Sequence, residues 1–377
     1  MIYGDGLDSP RSDPAAIAAL LGVVEPIDLQ LGFTVERTLW LDDPNLRGRT
    51  FMAGYALSRA VNDGRLVPLP VRLSAVPSVI MSNPFDIAVV VGVPRGDGYA
   101  FGATVGWADV AAATAGRVVV EVDQNGFDFG APMIAGNIVA TVPRPDSAQA
   151  PTAQRSADDI DLRIGQLVVS LLPDDATLQF GPGGIGEGIA NALDRPVKIW
   201  SGLLTDAMAR LADRGLLIGK ATAAYTWGGE PVFELARKGL VDMRPVTYTH
   251  DITRVSSIPR FVGCNTALQI GLDGAVNVER VGGRIITSVG GHADFCLGAS
   301  RSVGGLSVIA VRSCTARGES TIVPVAEAVS TPRSDVQVVV TEHGIADLRG
   351  IDDRERAARL IRIAAPQHRA MLEGASS

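Results

Sequence analysis

The chain has 377 residues, of which 46% are hydrophobic and 20% are charged, and its formal net charge is −7 at pH 7. This composition is typical of a globular protein with a large apolar core, and the length predicts about two domains. The acidic balance excludes the basic surface that a nucleic-acid-binding protein needs. No stretch approaches the ~20 apolar residues that cross a bilayer, so we expect no membrane partner.

The cysteine content indicates a reducing compartment. Cys264, Cys296 and Cys314 are odd in number and lack short spacings, which argues against a disulfide scaffold and against a zinc site. The N-terminal residues lack the basic flank and apolar core of a secretory signal peptide. We therefore expect a cytoplasmic protein that holds no metal.

Strands and helices alternate along the first part of the chain. The run 85–93 reads FDIAVVVGV, which is the continuous apolar pattern of a parallel strand covered on both faces. The elements predicted in this part are helices over 13–21 and 107–115 and strands over 27–31, 66–73, 85–93 and 117–122.

A linker is predicted over residues 143–154, which read PRPDSAQAPTAQ and show no apolar period. We place a domain boundary there, which gives predicted domains over 1–150 and 151–377. Strands alternate with helices in both, which indicates an α/β fold with mostly parallel sheets.

The second part of the chain contains a strand, a glycine turn and a helix in succession. The turn includes Gly181, Gly183 and Gly184, and such a turn presents free N–H groups and a positive dipole end to an anion. A purely structural turn is the alternative. The elements predicted in this part are helices over 158–172, 187–193, 205–214 and 352–364 and strands over 176–180, 197–204, 307–311 and 337–341.

A second glycine-rich loop, SVGGHADF, covers residues 288–295. Glycine permits a positive φ, and successive N–H groups in such a turn can form a concave anion site. Gly290 and Gly291 are therefore candidate binding residues. The alternative is a tight turn that packs Phe295 into the core.

Three motifs occur in one order in this chain: NTALQIGLDGAVNVERVGGR from Asn265, SVGGHADFCLGA from Ser288 and STPRSDVQVVVTEHGIADLRG from Ser330. In wording, order and spacing they resemble the C-terminal half of the acetyl-CoA hydrolase/transferase family, which includes 4-hydroxybutyrate and succinyl/acetate CoA-transferases. The resemblance implies two related CoA-transferase-like α/β domains with mostly parallel sheets. It also implies a homodimer, and a hetero-oligomer is the alternative.

The resemblance also implies a reaction. In the family a glutamate attacks the acyl-CoA and forms a glutamyl-CoA thioester, while amides of the Gly-Gly loop stabilise the oxyanion. The aligned stretch IWSGLLTD places Gly202 where the glutamate would stand. Glycine has no carboxylate, and Glu187 and Asp206 are the nearest acids in sequence.

His250 is the first candidate for the missing chemistry, because it stands where the family has an active-site asparagine. A neutral histidine is a natural general base near pH 7. The alternative is a satisfied polar residue at a strand end. His292 follows the two glycines and is expected either to shape the loop or to contact substrate.

The remaining candidates are expected to bind coenzyme A or substrate. With His250, Gly290 and Gly291 as the catalytic set, the binding set is Gly181, Gly183, Gly184, Gly202, Asn265, His292, Asp294 and Phe295.

Our leading hypothesis is an enzyme that hydrolyses or cleaves a CoA thioester without a glutamyl-CoA intermediate. Coenzyme A would be a substrate or product, and the ligands would be an acyl-CoA and a small carboxylate. Two alternatives stay open. One is a conventional CoA-transferase whose carboxylate comes from Glu187, Asp206 or Asp251. The other is a non-catalytic CoA-binding subunit of a hetero-oligomer.

Overall fold

The computed structural model describes residues 1–6, 9–24, 26–146 and 155–375, and they form two units. The first unit comprises the described residues of Met1–Thr152 together with Thr222–Thr249 and Arg284–Gly290. The second comprises the described residues of Ala153–Ala221, His250–Gly283 and Gly291–Ser377. The two later segments of the first unit lie beyond residue 150, and the division into related domains over 1–150 and 151–377 stays a prediction.

Short strands make up the sheets. In chain order they are β1 Ile2–Tyr3, β2 Leu29–Leu31, β3 Gly48–Thr50, β4 Leu66–Pro68, β5 Ile87–Arg95, β6 Gly98–Ala100, β7 Arg117–Val122, β8 Ile138–Pro143, β9 Thr177–Phe180, β10 Lys198–Ile199, β11 Leu203–Thr205, β12 Ala221–Ala223, β13 Tyr225–Trp227, β14 Val241–Met243, β15 Phe261–Asn265, β16 Gln269–Gly271, β17 Val276–Asn277, β18 Arg280–Val281, β19 Arg284–Ile285, β20 Leu306–Ala310, β21 Ile322–Val323, β22 Val338–Thr341 and β23 Gly344–Asp347.

Helices follow many of the strands. They are α1 Pro14–Leu20, α2 Ser58–Asn62, α3 Val76–Ser82, α4 Ala108–Thr114, α5 Asp159–Val169, α6 Gly184–Ala192, α7 Asp206–Asp213, α8 Glu230–Arg237, α9 Val246–Thr249, α10 Ile252–Ser257, α11 His292–Arg301, α12 Asp353–Ile363 and α13 Pro366–Ala375. Within the described ranges, no helix combines the length and the apolar character needed to cross a membrane.

The first unit is built on a parallel sheet with the strand order β4-β3-β2-β1-β5-β7-β8, and β6 pairs antiparallel with the C-terminal end of β5. Val89, Val90 and Val119 on its central strands are fully buried. The predicted apolar run is therefore confirmed as a strand covered on both faces. The strand order reverses between β1 and β5, and a crevice outside the carboxyl ends of strands is expected at such a point.

The second unit repeats this plan with the order β10-β9-β15-β20-β22-β23, in which only the last pairing is antiparallel. Here the order reverses between β9 and β15. The α/β fold with mostly parallel sheets, predicted from alternation, is confirmed in both units.

Helix ends explain several boundaries. Asp13 accepts a hydrogen bond from the Ala15 N–H and caps α1, while Asp158 and Asp161 form a capping box that starts α5. Asp352 caps α12 in the same way through the Glu355 N–H. These helices lie where the sequence predicted them.

Two strand predictions were too long. The strand predicted over 66–73 ends at Pro68, since Pro68 and Pro70 cannot donate to a ladder. The strand predicted over 197–204 is broken into β10 and β11, because the Ser201 hydroxyl accepts the Leu203 N–H at 3.3 Å and closes a turn at Gly202. In the predicted linker, residues 147–154 lie outside the described residues.

A buried acid stands just past β1, at the reversal of strand order in the first unit. The Tyr225 hydroxyl donates to Asp5 Oδ2 at 2.8 Å. The other oxygen, Oδ1, is buried without a hydrogen-bond partner among the described residues. Burial raises the pKa of Asp5 to about 8, so the folded chain keeps this carboxyl protonated at neutral pH.

We expect Asp5→Asn to gain stability over the wild type as the pH rises. The folded-state pKa of Asp5 lies above its unfolded value, so the stability it contributes is present at low pH and lost as the pH rises toward 8. The neutral amide has no such loss, and its advantage should grow by roughly 1.4 kcal/mol per pH unit between about pH 4 and 8.

Urea unfolding at pH 5 and pH 8 measures this difference. Asp97→Asn, at an exposed turn, is the control and should track the wild type. Equal pH dependence in Asp5→Asn and the wild type would contradict a protonated Asp5.

Candidate functional site

Several predicted site residues gather at one edge of the second unit's sheet. Gly181 follows β9, Gly202 follows β10 and Asn265 ends β15, and these three strands are parallel neighbours. Carboxyl ends of parallel strands share one edge, where α/β proteins bind ligands. The edge also includes the reversal of strand order between β9 and β15.

The glycine turn after β9 leads into α6. Gly183 precedes the helix with φ of +105°, and a Cβ added to either Gly181 or Gly183 would have no atom within 4 Å. A Cβ at Gly184 would instead collide with the Asp161 carboxylate. That carboxylate is held by Arg312, whose Nε donates to Oδ1 at 2.9 Å. Packing accounts for Gly184, while coenzyme A binding by the turn stays a prediction.

Asn265 belongs to a short polar chain. Its Oδ1 accepts from Gln179 Nε2 at 3.3 Å, and its Nδ2 lies 3.7 Å from Cys296 Sγ. Burial raises the pKa of Cys296 to about 12, and that of Cys264 likewise. Both thiols are therefore protonated at neutral pH and are poor nucleophiles.

Gly202 faces two aromatic rings. A Cβ added at this position would lie 2.9 Å from His250 Nε2, 3.0 Å from His250 Cε1 and 3.4 Å from Phe295 Cε2. The two rings pack together with centroids 4.6 Å apart. A side chain at residue 202 is excluded while His250 keeps this place, because a carbon needs more room than 2.9 Å.

His250 lies between two helices, so the expectation of a strand end was wrong. It directly follows α9, and Asp251 caps α10 by accepting the Thr253 N–H at 2.8 Å. His250 is 1% exposed, and burial lowers its pKa to about 3. The imidazole is therefore neutral throughout the physiological range.

The second glycine loop is shorter than predicted, because α11 starts at His292 and so includes Asp294 and Phe295. Asp294 is buried in the first turn, where the helix dipole favours a negative charge. His292 Nδ1 lies 2.7 Å from Thr331 Oγ1. Burial lowers the pKa of His292 to about 4, and the Thr266 backbone offsets part of this shift.

The two loop glycines fall in different units. Gly291 precedes α11 in the second unit, whereas Gly290 is the last residue of the segment that belongs to the first. Gly290 has φ of +60°, which disfavours a side chain there. Its carbonyl accepts the Leu73 N–H at 3.0 Å. An oxyanion role for these amides stays a prediction.

Two of the three acids proposed as alternative nucleophiles have structural roles. The Glu187 carboxylate pairs with Arg210 at 2.6 Å, and Asp251 is the cap of α10. Asp206 begins α7. Among the described residues, no cluster of histidine, cysteine and acidic side chains is suited to a metal ion.

Sequence reasoning missed two residues. Asp5 has no motif that marks it as buried. Thr331 lies in the third motif, and the structure adds its contact with His292. Arg72 lies within the stretch that was predicted to be a strand, and a strand gave no reason to single it out.

Comparison with solved structures places the chain among CoA-transferase-type α/β proteins. RipA from Yersinia pestis superposes with a TM-score of 0.85 at 25% identity, covering 100% of this chain and 92% of that chain. A 4-hydroxybutyrate CoA-transferase from Porphyromonas gingivalis gives 0.75 at 26% identity, covering 99% of this chain and 92% of that one.

The sequence comparisons define the family. Residues 232–376 match the family described as the acetyl-CoA hydrolase/transferase C-terminal domain. A 4-hydroxybutyrate coenzyme A transferase of Clostridium kluyveri is 30% identical, covering 87% of this chain and 81% of that protein. An acetyl-CoA hydrolase of Eremothecium gossypii is 26% identical, covering 95% and 81%. The chain belongs to the acetyl-CoA hydrolase/transferase family.

We expect Gly202→Ala to destabilise the protein by about 1–3 kcal/mol, because the new methyl group meets the His250 ring. The cost should shrink by about 1 kcal/mol or more in a His250→Ala background, which a double-mutant cycle of unfolding free energies measures. Gly181→Ala, which faces open space, is the control and should be near neutral. An equal cost of Gly202→Ala in both backgrounds would rule out the contact as the cause.

We expect both buried histidines to weaken the fold in acid. Their folded-state pKa values lie below the unfolded value, so the stability they contribute is complete above about pH 6.5 and is lost as the pH falls. Each histidine should lower the free energy of unfolding by about 2 kcal/mol at pH 5 relative to pH 7.

In the single variants His250→Asn and His292→Asn, the free energy of unfolding should depend less steeply on pH between 6.5 and 4. The slope should fall by about the contribution of one proton. Between pH 8 and 9 the slopes should match the wild type, which is the internal control. A variant slope that equals the wild type below pH 6 would mean that the histidine is charged in the folded state.

Proposed function

We propose that the chain hydrolyses or cleaves a CoA thioester without passing through a glutamyl-CoA intermediate. Membership of a family that contains both hydrolases and transferases supports action on acyl-CoA. The single observation that carries the finer proposal is the close approach of His250 to Gly202, since its Nε2 would lie 2.9 Å from a Cβ added there.

The constraint at Gly202 is steric. The resemblance puts the family's nucleophile at this position, and a carboxylate there would need the volume that the His250 and Phe295 rings fill. The replacement therefore involves more than one position, because restoring the glutamate alone leaves its side chain without room. A water molecule is the alternative nucleophile that needs no side chain at residue 202.

The reaction we propose is the attack of water on the thioester carbonyl. The water oxygen bonds to the carbonyl carbon, the carbon–sulfur bond breaks, and the proton from water goes to the departing coenzyme A sulfur. Backbone amides of the Gly290–Gly291 loop would stabilise the developing oxyanion. His250 would orient the water and pass its proton on, since an imidazole with a pKa of about 3 does not store a proton near pH 7.

Release of coenzyme A from acyl-CoA, measured with a thiol reagent, tests this proposal. We expect release without any acceptor acid and no acceleration by acetate or succinate. His250→Asn should lower kcat by about 10²- to 10⁴-fold. His368→Asn, near the C-terminal end of the chain, is the matched control and should leave kcat unchanged.

The other hypotheses give different results in the same assay. Release that depends on an acceptor acid would identify a conventional CoA-transferase and contradict the proposal. Bound acyl-CoA without any release would identify a non-catalytic subunit.

A further inference from the structure

Arg72 is a partly buried arginine whose side chain forms no hydrogen bond or ion pair with any described residue. Because no described side chain or carbonyl pairs with this guanidinium, it is available to an anion. The other partly buried arginines of the described ranges each donate at least one side-chain hydrogen bond, and they are Arg11, Arg65, Arg95, Arg117, Arg144, Arg195, Arg312, Arg356, Arg359 and Arg369.

The position of Arg72 is as informative as its lack of a partner. It lies just past β4, at the carboxyl edge of the first unit's parallel sheet. Its backbone forms a parallel bridge with Gly290, and the next residue, Leu73, donates its N–H to the Gly290 carbonyl at 3.0 Å. Arg72 is therefore tied directly to one of the two glycines predicted to stabilise the oxyanion.

An apolar group stands beside the same glycine. A Cβ added to Gly290 would lie 3.3 Å from Met52 Cε. Met52 is held past the end of β3, since its N–H donates to Thr50 Oγ1 at 3.0 Å and Thr287 Oγ1 lies 3.4 Å from its sulfur. Gly290 therefore lies close to the aliphatic thioether of Met52 and is bridged through its backbone to Arg72, whose side chain is unpaired. This combination fits a short aliphatic chain that ends in an anion.

We propose that Arg72 binds a carboxylate of the substrate, an inference that rests on the proposed function. Guanidinium groups bind carboxylates and phosphates through paired hydrogen bonds. The phosphates of coenzyme A are separated from the sulfur by the whole pantetheine arm, so an anion next to Gly290 belongs to the acyl side. The carboxylate is either the far end of a dicarboxylic acyl group or that of a small acid bound beside the thioester.

Calorimetric titration of the full chain separates these sources. The probes are coenzyme A, S-butyl-coenzyme A and S-(3-carboxypropyl)-coenzyme A, whose thioethers cannot be hydrolysed, and succinate with and without S-butyl-coenzyme A. The variants are Arg72→Met, Arg72→Lys and the control Arg284→Met, an exposed arginine of the same unit.

If the carboxylate belongs to a dicarboxylic acyl group, Arg72→Met should lower the affinity for S-(3-carboxypropyl)-coenzyme A by about 10- to 100-fold. The affinity for S-butyl-coenzyme A should then be unchanged. If the carboxylate belongs to a separate small acid, Arg72→Met should instead lower the affinity for succinate by the same factor. Arg72→Lys should recover part of either affinity, because it keeps the charge and loses the paired geometry. Arg284→Met should match the wild type in every titration.

Two results would overturn the proposal. One is an equal loss for all three coenzyme A compounds, which would place Arg72 on a phosphate. The other is unchanged affinity for every probe in Arg72→Met. A wild-type chain that binds no coenzyme A compound would contradict the proposed function. In that case the effect of Arg72→Met on succinate affinity alone tests the role of Arg72.

Discussion

The absence of a side chain at residue 202 is the constraint on which the candidate site depends. Because Gly202 lacks a Cβ, the His250 ring can approach its Cα and pack on Phe295. Phe295 in turn stacks on Phe261 with centroids 6.2 Å apart and joins the small apolar cluster around Val255. The burial that results from this packing sets the charge state of His250, so one glycine determines both the shape and the electrostatics of the site.

Several buried titratable side chains of the two units are held in their uncharged forms. Burial lowers the pKa of His250 and His292 and raises the pKa of Cys296. It also raises the pKa of Asp5. Neutral groups of this kind avoid the desolvation cost of a buried charge. Arg72 differs from these groups, because we infer that it binds a substrate carboxylate.

Strong local patterns were sufficient for much of the fold. The continuous apolar run of β5 indicated a covered strand, and the helices predicted over 158–172 and 352–364 lie where α5 and α12 are found. The glycine turns were visible for the same reason, although sequence could not separate Gly184, which packs on Asp161, from Gly181, which faces open space. That distinction depends on a neighbour that is distant in sequence.

Tertiary contacts decided the features that the sequence did not predict. The stretch around Gly202 is apolar enough for one strand, and only the Ser201 turn interrupts it. His250 lies on a helical connection because Asp251 caps the helix that follows. Arg72 and Asp5 have no local signal, since an unpaired cation or a protonated acid is defined by its surroundings.

Our central proposal is that no carboxylate of this chain becomes covalently attached to coenzyme A during the reaction. Incubation with acyl-CoA, reduction with borohydride and peptide mapping by mass spectrometry tests it most directly. We expect released coenzyme A, free acid and no reduced glutamate or aspartate in any peptide. A reduced acidic residue, at Glu187, Asp206 or elsewhere, would contradict it.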